Sequence, residues 1–178
     1  MAKPVMQTFT LSILRHAKAG RGDADSMDSD RRLTDRGRRN AVDMGVWMTG
    51  AGIAPARILC SGAARTRETL ELLLPHLTGQ PIVQHLAELY LATPLILLKH
   101  LHTVASGDMH VLMIGHNPGL HALALDLIAE GPTDRIAALG RGLPTGGLVV
   151  ISFNAAAWTD VVAGTGTLVS FTTPDDLG

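Results

Sequence analysis

HVLMIG, residues 110 to 115, is apolar at every position from Val111 to Ile114. A strand with no polar face has to be covered on both sides, as a central parallel strand between two layers of helices is. Working outward, Pro118 to Ala129 has helical character on the downstream side. Upstream, Thr93 before Pro94 places a capping residue ahead of proline at a first helical position, which opens a helix to about Val104. Ile82 to His85 reads as a strand, Ala63 to Leu77 as a helix through Leu70, Leu73, Leu74 and Leu77, and Arg57 to Ser61 (RILCS) as a short buried strand. Thr34 is an N-cap for a helix to about Thr49, with Val42, Val46 and Trp47 on one face, and Thr8 to Arg15 (TFTLSILR) is the first strand. The stretch from Gly20 to Leu33, with several aspartates, reads as an exposed loop. After a Gly/Pro-rich stretch, Leu148 to Asn154 and Thr165 to Phe171 form a hairpin joined around Trp158. Extended and helical segments in alternation predict an α/β fold, a mostly parallel central sheet flanked by helices. A chain of 178 residues suits a single domain spanning 1–178.

Charge and cysteine usage narrow the function classes. Fifteen Lys and Arg stand against sixteen Asp and Glu, so no net field draws the chain to nucleic acid or an anionic membrane, and any anion it binds is held locally. The residues from Met1 to Gln7 lead into no apolar segment of signal-peptide length, and no later run approaches a membrane span. One cysteine, Cys60, excludes an internal disulfide framework, so a cytoplasmic location is expected.

Three strand ends carry related chemistry. The first ends Arg15-His16-Ala17-Lys18, the second leads through Ser61-Gly62 to Arg65-Thr66, and the fourth ends Gly115-His116-Asn117-Pro118-Gly119. Carboxyl ends of parallel strands share one edge, where ligands bind in open α/β sheets, so two arginines and two histidines meet there. Arginine forks match phosphate oxygens, and a neutral histidine among them is a nucleophile for phosphorus. The neighbouring guanidinium charge favours that neutral form.

Leu14-Arg15-His16-Ala17-Lys18 resembles the opening motif of the histidine phosphatase superfamily, and most closely its small SixA-type phosphohistidine phosphatase branch. RRLTDRG (31–37), SGAARTRET (61–69), Leu89-Tyr90, GHNPGL (115–120) and Pro144-Thr145-Gly146 follow in the family's order across nearly the whole chain. The resemblance implies a three-layer, phosphoglycerate mutase-like fold. It also implies His16 as nucleophile, Arg15, Arg65 and protonated His116 as phosphate-binding residues, and a covalent phosphohistidine intermediate formed without metal or cofactor. Glu88 is the candidate acid, from the segment Leu86 to Tyr90 where larger relatives place a catalytic glutamate. The expected substrate is a phosphorylated protein, such as a phosphohistidine carrier. A small phosphate ester and a non-catalytic phosphate-recognition module are the alternatives.

Other residues stay with plainer readings. His76, His85, His100, His102, His110 and His121 have no arginine company and read as structural or surface residues, and Trp47 as core. Lys18, Asn117 and Thr145 are candidates for the pocket wall. The run from Cys60 to Arg65 superficially resembles a cysteine phosphatase loop but is one residue short of it, and a thiol within a buried strand is inert.

Overall fold

The computed structural model describes residues 5–22 and 25–178; Met1 to Pro4, including Lys3, and the loop aspartate Asp23 lie outside the described residues. Its frame is a seven-stranded sheet. β1 (Gln7–Arg15) pairs in parallel with β4 (His110–Gly115), which pairs in parallel with β2 (Arg57–Ser61), and β2 with the edge strand β3 (Ile82–Leu86). On its other side β1 runs antiparallel to β6 (Leu148–Ala155), β6 antiparallel to β7 (Gly166–Thr172), and β7 parallel to the short β5 (Ile128–Glu130).

The period-2 alternation of these strands sends residues to two covered faces. Phe9, Leu11, Ile13, Val111, Met113 and Ile151 pack on one face under α3 (Pro94–His102), α4 (Gly119–Leu127) and α5 (Thr133–Arg141). Leu14, Leu112, Ile114 and Val150 pack on the other under α1 (Asp35–Gly50) and α2 (Ala64–Leu73). The expected α/β, mostly parallel sheet flanked by helices is therefore the observed one. Trp158, fully buried, fastens the β6–β7 connection: its ring stands edge-on to Phe9 at 5.0 Å and its Nε1 donates to Asp108 O at 2.9 Å.

Several elements depart from the expected ones. The α1 face that turns inward carries Gly37, Ala41, Met44, Gly45 and Met48, whereas Val46 is exposed. Close approach of α2 selects that face, since a Cβ on Gly45 would meet the Leu73 backbone at 2.9 Å. The α2 helix ends at Leu73 and tightens into a 3-10 turn, Leu74–His76, because Pro75 has no N–H for the helical ladder and its ring opposes the preceding turn. α4 stops at Leu127 and yields to β5, and α5 occupies the stretch read as Gly/Pro-rich.

Candidate active site

Register brings the three motif-bearing strand ends level. Arg15 pairs with Gly115 across β1 and β4, and Cys60 with Ile114 across β2 and β4, so Ser61 reaches the edge where His16 and His116 begin. The His16 N–H donates to Gly115 O at 3.2 Å, and the N–H of Gly146 donates back to the carbonyls of Arg15 and His16 at 3.0 Å. Gly146 makes that turn at φ 75°, a left-handed conformation natural to glycine, which accounts for the Pro144-Thr145-Gly146 segment. The RRLTDRG segment has a similar scaffolding task. Thr34 caps α1 by accepting from Gly37 N, its own N–H holds Lys18 O at 2.9 Å, and a side chain at Gly37 would overlap the Lys18 carbonyl. Buried Glu68 fixes the same loop from α2, accepting from Leu33 N at 2.8 Å and pairing with Arg38.

His16, Arg65 and His116 are each less than a tenth exposed and lie together at this edge. His16 Nδ1 is 2.7 Å from Ala17 O, a partner that can only accept, so Nδ1 carries the proton and Nε2 keeps its lone pair. Arg65 Nε donates to that Nε2 at 3.2 Å. The His16 and His116 rings lie 5.2 Å apart, and His116 Nε2 meets Ser61 Oγ at 2.8 Å. A cavity of about 460 Å³ opens over the group, with Arg15, Lys18, Arg31, Asn117 and Thr145 in its wall, so all three pocket-wall candidates line it.

Burial and positive neighbours decide the charge states. His16 is pushed down to about 4, first by burial and then by the charges of Arg65, Arg15 and Arg31, which outweigh the opposing Ala17 hydrogen bond. Its ring is neutral near pH 7, as the arginine pairing suggested. His116 is pushed down to about 3 by burial, with smaller contributions from His16 and Arg65. The positive charge expected on His116 is therefore missing in this structure, because its partner is a neutral hydroxyl and the opposing charge of Asp28 does not outweigh its burial.

A carboxylate does line the cavity, and it belongs to Asp28. Its Oδ2 accepts from Arg65 Nη2 at 2.9 Å and from the Tyr90 hydroxyl at 2.6 Å, its Oδ1 from Arg31 Nη1 at 2.9 Å, and its backbone carbonyl from Arg65 Nη1 at 2.6 Å. Those donors, Tyr90 first, hold its pKa well below the ordinary carboxylate range. Tyr90 also stands edge-on to His116 at 5.3 Å. Glu88 is not brought to the cavity: β3 leads into a 3-10 turn, Ala87–Leu89, that buries Leu89 and leaves Glu88 exposed. The Asp28 network joins loop, helix and turn over 62 residues, and the only local signal for it was the three-residue spacing of Asp28 and Arg31. Cys60 is buried inside β2 and its thiol is pushed up to about 12 by burial, so it is protonated and unreactive at neutral pH.

No family model matches the chain. An uncharacterized protein of Mycobacterium tuberculosis strain H37Rv is 33% identical over 163 residues, 90% of this chain and 99% of the relative. An uncharacterized protein of Mycobacterium leprae is 33% identical over 165 residues with the same coverage. Among solved structures, a Nakamurella multipartitia protein assigned by name only as phosphohistidine phosphatase SixA superposes with a TM-score of 0.84 at 29% identity, covering 97% of this chain and 99% of that one. The protein histidine phosphatase SixA complexed with tungstate superposes at 0.75 with 25% identity, over 95% and 99%. The shared fold extends over the strand ends that carry Arg15-His16, Arg65 and His116, and with it the chain belongs to the histidine phosphatase superfamily, in its SixA-type branch.

Proposed function

We propose that this chain, as one domain, removes phosphoryl groups through a covalent intermediate on His16 Nε2, without a metal ion, and that its substrate is phosphohistidine on a cytoplasmic protein. The observation that carries the proposal is the fixed tautomer: Nδ1–H held by Ala17 O leaves the Nε2 lone pair on the cavity side beside Arg65. Arg65 turns its Nε–H from Nε2 to the phosphoryl oxygens, the freed Nε2 lone pair attacks phosphorus, the P–N bond to the substrate imidazole breaks, and that imidazole leaves with its electron pair and its proton. Water then attacks the phosphohistidine, releasing inorganic phosphate and restoring neutral His16. Arg15, Arg65 and His116 hold the non-bridging oxygens. An arriving phosphoryl dianion supplies the opposite charge that favours protonated His116.

The carboxylates divide according to their settings. Ionised Asp28, inside the cavity, is suited to orient the water of the second step, and its low pKa makes it unsuited both to deprotonate that water and to protonate a leaving group at neutral pH. Glu88 remains the acid only for poorer leaving groups, and it must swing inward from its exposed turn to act. A protonated imidazole departs without such help, which favours the phosphohistidine reading over a small ester. The SixA names of the neighbours support the same substrate class.

The test compares a carrier protein phosphorylated on histidine with small phosphate esters, using wild type and His16→Ala, each with and without chelator. Wild type should release phosphate faster from the carrier, unaffected by chelator, and a quenched reaction should trap acid-labile phosphate on the enzyme. His16→Ala should do neither. Turnover surviving His16→Ala overturns the nucleophile, and faster turnover of the esters overturns the substrate.

A further inference from the structure

A second cavity, of about 630 Å³, adjoins the first and is the larger of the two. Arg15 and Asn117 line both, so they form a common wall between them. The far side of the outer cavity is α5, a helix that inserts Leu139 into the core. Arg135, Ala138 and Arg141, three residues apart along one face of that helix, line the outer cavity. Leu143 and Phe171 give the cavity apolar surface as well.

The charge at this place is strongly one-sided. Three arginines line the outer cavity against a single carboxylate, Asp176, in a chain whose overall charge is −1. Asp176 is tied back, its Oδ2 accepting from Thr173 N at 2.7 Å and Thr173 Oγ1 at 2.8 Å, and these bonds lower its pKa. Arg135 donates to Phe171 O at 3.3 Å and lies 3.7 Å from Asp134, while Arg141 donates to Ala137 O at 3.3 Å, long contacts that leave most guanidinium donors available.

The common wall is also incompletely satisfied. Arg15 Nη1 and Asn117 Nδ2 both donate to Leu143 O at 2.9 Å, yet Arg15 Nε and Asn117 Oδ1 are buried with no hydrogen-bond partner among the described residues.

We propose that the outer cavity is a second anion subsite, which holds a carboxylate or phosphate group carried by the same substrate as the transferred phosphoryl group. Arg135 and Arg141 grip that anion, and Leu143 and Phe171 cover a short apolar spacer that runs past Arg15 and Asn117 to the first cavity. This inference rests on the phosphatase reading above, since it takes the first cavity as the seat of the phosphoryl group. It selects substrates that bear an anion beside the phosphoryl group, whether an acidic residue on a carrier protein or a second acidic group on a small ester.

Binding of phosphonates, which cannot be hydrolysed, tests the subsite apart from turnover. Titration calorimetry would compare benzylphosphonate with its 3- and 4-carboxy derivatives on wild type and on the Arg135→Gln/Arg141→Gln double variant. At least one carboxy derivative should bind wild type about tenfold more tightly than benzylphosphonate, the scale of one charge-assisted pair. The double variant should lose that preference while binding benzylphosphonate unchanged. Equal affinities on wild type, or a preference that survives the double substitution, overturns the subsite and leaves the phosphatase reading standing. No binding of any phosphonate sinks both. Peptides carrying a phosphoryl-triazole mimic of phosphohistidine, flanked by Asp or by Ala, then separate the sources: a preference for the acidic peptide assigns the anion to a protein, and indifference alongside a retained preference among the small phosphonates assigns it to an ester.

Discussion

The two sides of β1 are built on different plans. Toward β4, β2 and β3 the strands run parallel, and their carboxyl ends deliver His16, the Ser61–Arg65 segment and His116 to one edge as side chains. Toward β6 and β7 the pairing is antiparallel, and what reaches the same edge is the start of β6 and its preceding turn, which contributes backbone: Gly147 O accepts from Arg15 N, and Gly146 N–H donates to Arg15 and His16. One half supplies reacting groups and the other sets where they stand. Parallel pairing repeats the same strand end at the same edge, so it concentrates chemistry; a hairpin alternates its ends and presents turns instead.

That division is broken most directly by two truncations, one on each side. His16→Ala should abolish turnover with little change in stability. Trp158→Ala should cost about 3–5 kcal/mol of stability, the range for removing a large buried aromatic, and leave the turnover of the folded fraction unchanged. Denaturant melts beside phosphate release measured well below the transition check both. If Trp158→Ala lowers kcat of the folded protein as much as its stability, the antiparallel side shares in the chemistry and the division fails.

A smaller effect sharpens the same contrast through pH. His16 and His116, both on the parallel side's edge, are held near 4 and 3, below the ordinary histidine value of about 6.5. Their folded forms bind protons less readily than the unfolded chain does. The stability they contribute is therefore full above pH 6.5 and is lost as pH falls from there toward 4 and 3. His110, pushed down to about 4 by burial at the other end of β4, adds to the loss. His16→Ala should flatten part of this slope in melts between pH 7 and 4, and an unchanged slope would mean that His16 is not buried neutral.

The same two sides were unequally legible in sequence. β2 and β4 begin and end where their apolar runs do, and β1 extends one residue beyond its run. Each site residue of the parallel side sits within two residues of a motif that local pattern displays, so the meeting of His16, Arg65 and His116 followed from strand ends alone. What escaped depended on distance. Asp28 reaches Tyr90 across 62 residues and Arg65 across 37, and an aspartate-rich loop looks the same whether or not one carboxylate turns inward. Glu88 was placed by likeness to larger relatives, and a single 3-10 turn is enough to leave it outside. α5 was hidden by Pro132 before it and Gly140 within it, breakers that tertiary packing of Leu139 overrides. The inward face of α1 was misjudged because glycines, silent in any hydrophobic count, decide how closely α2 approaches.

Cys60 gives the smallest expected effect and the finest cut, because it lies on the reactive side without belonging to the chemistry. It is one residue from Ser61, whose hydroxyl meets His116, and five from Arg65, yet it packs with Leu14, Ile58 and Ile114 on the face covered by α1 and α2. With its thiol pushed up to about 12, there is no thiolate at neutral pH to attack phosphorus. Cys60→Ala should leave kcat and KM unchanged and cost about 1 kcal/mol of stability, as the loss of one small buried group does. A large fall in kcat with stability intact would show that proximity to the strand end suffices for a part in catalysis. An unchanged rate would place the boundary between site and core within the single step from Cys60 to Ser61, where the alternation of β2 turns one side chain to the helices and the next to the cavity edge.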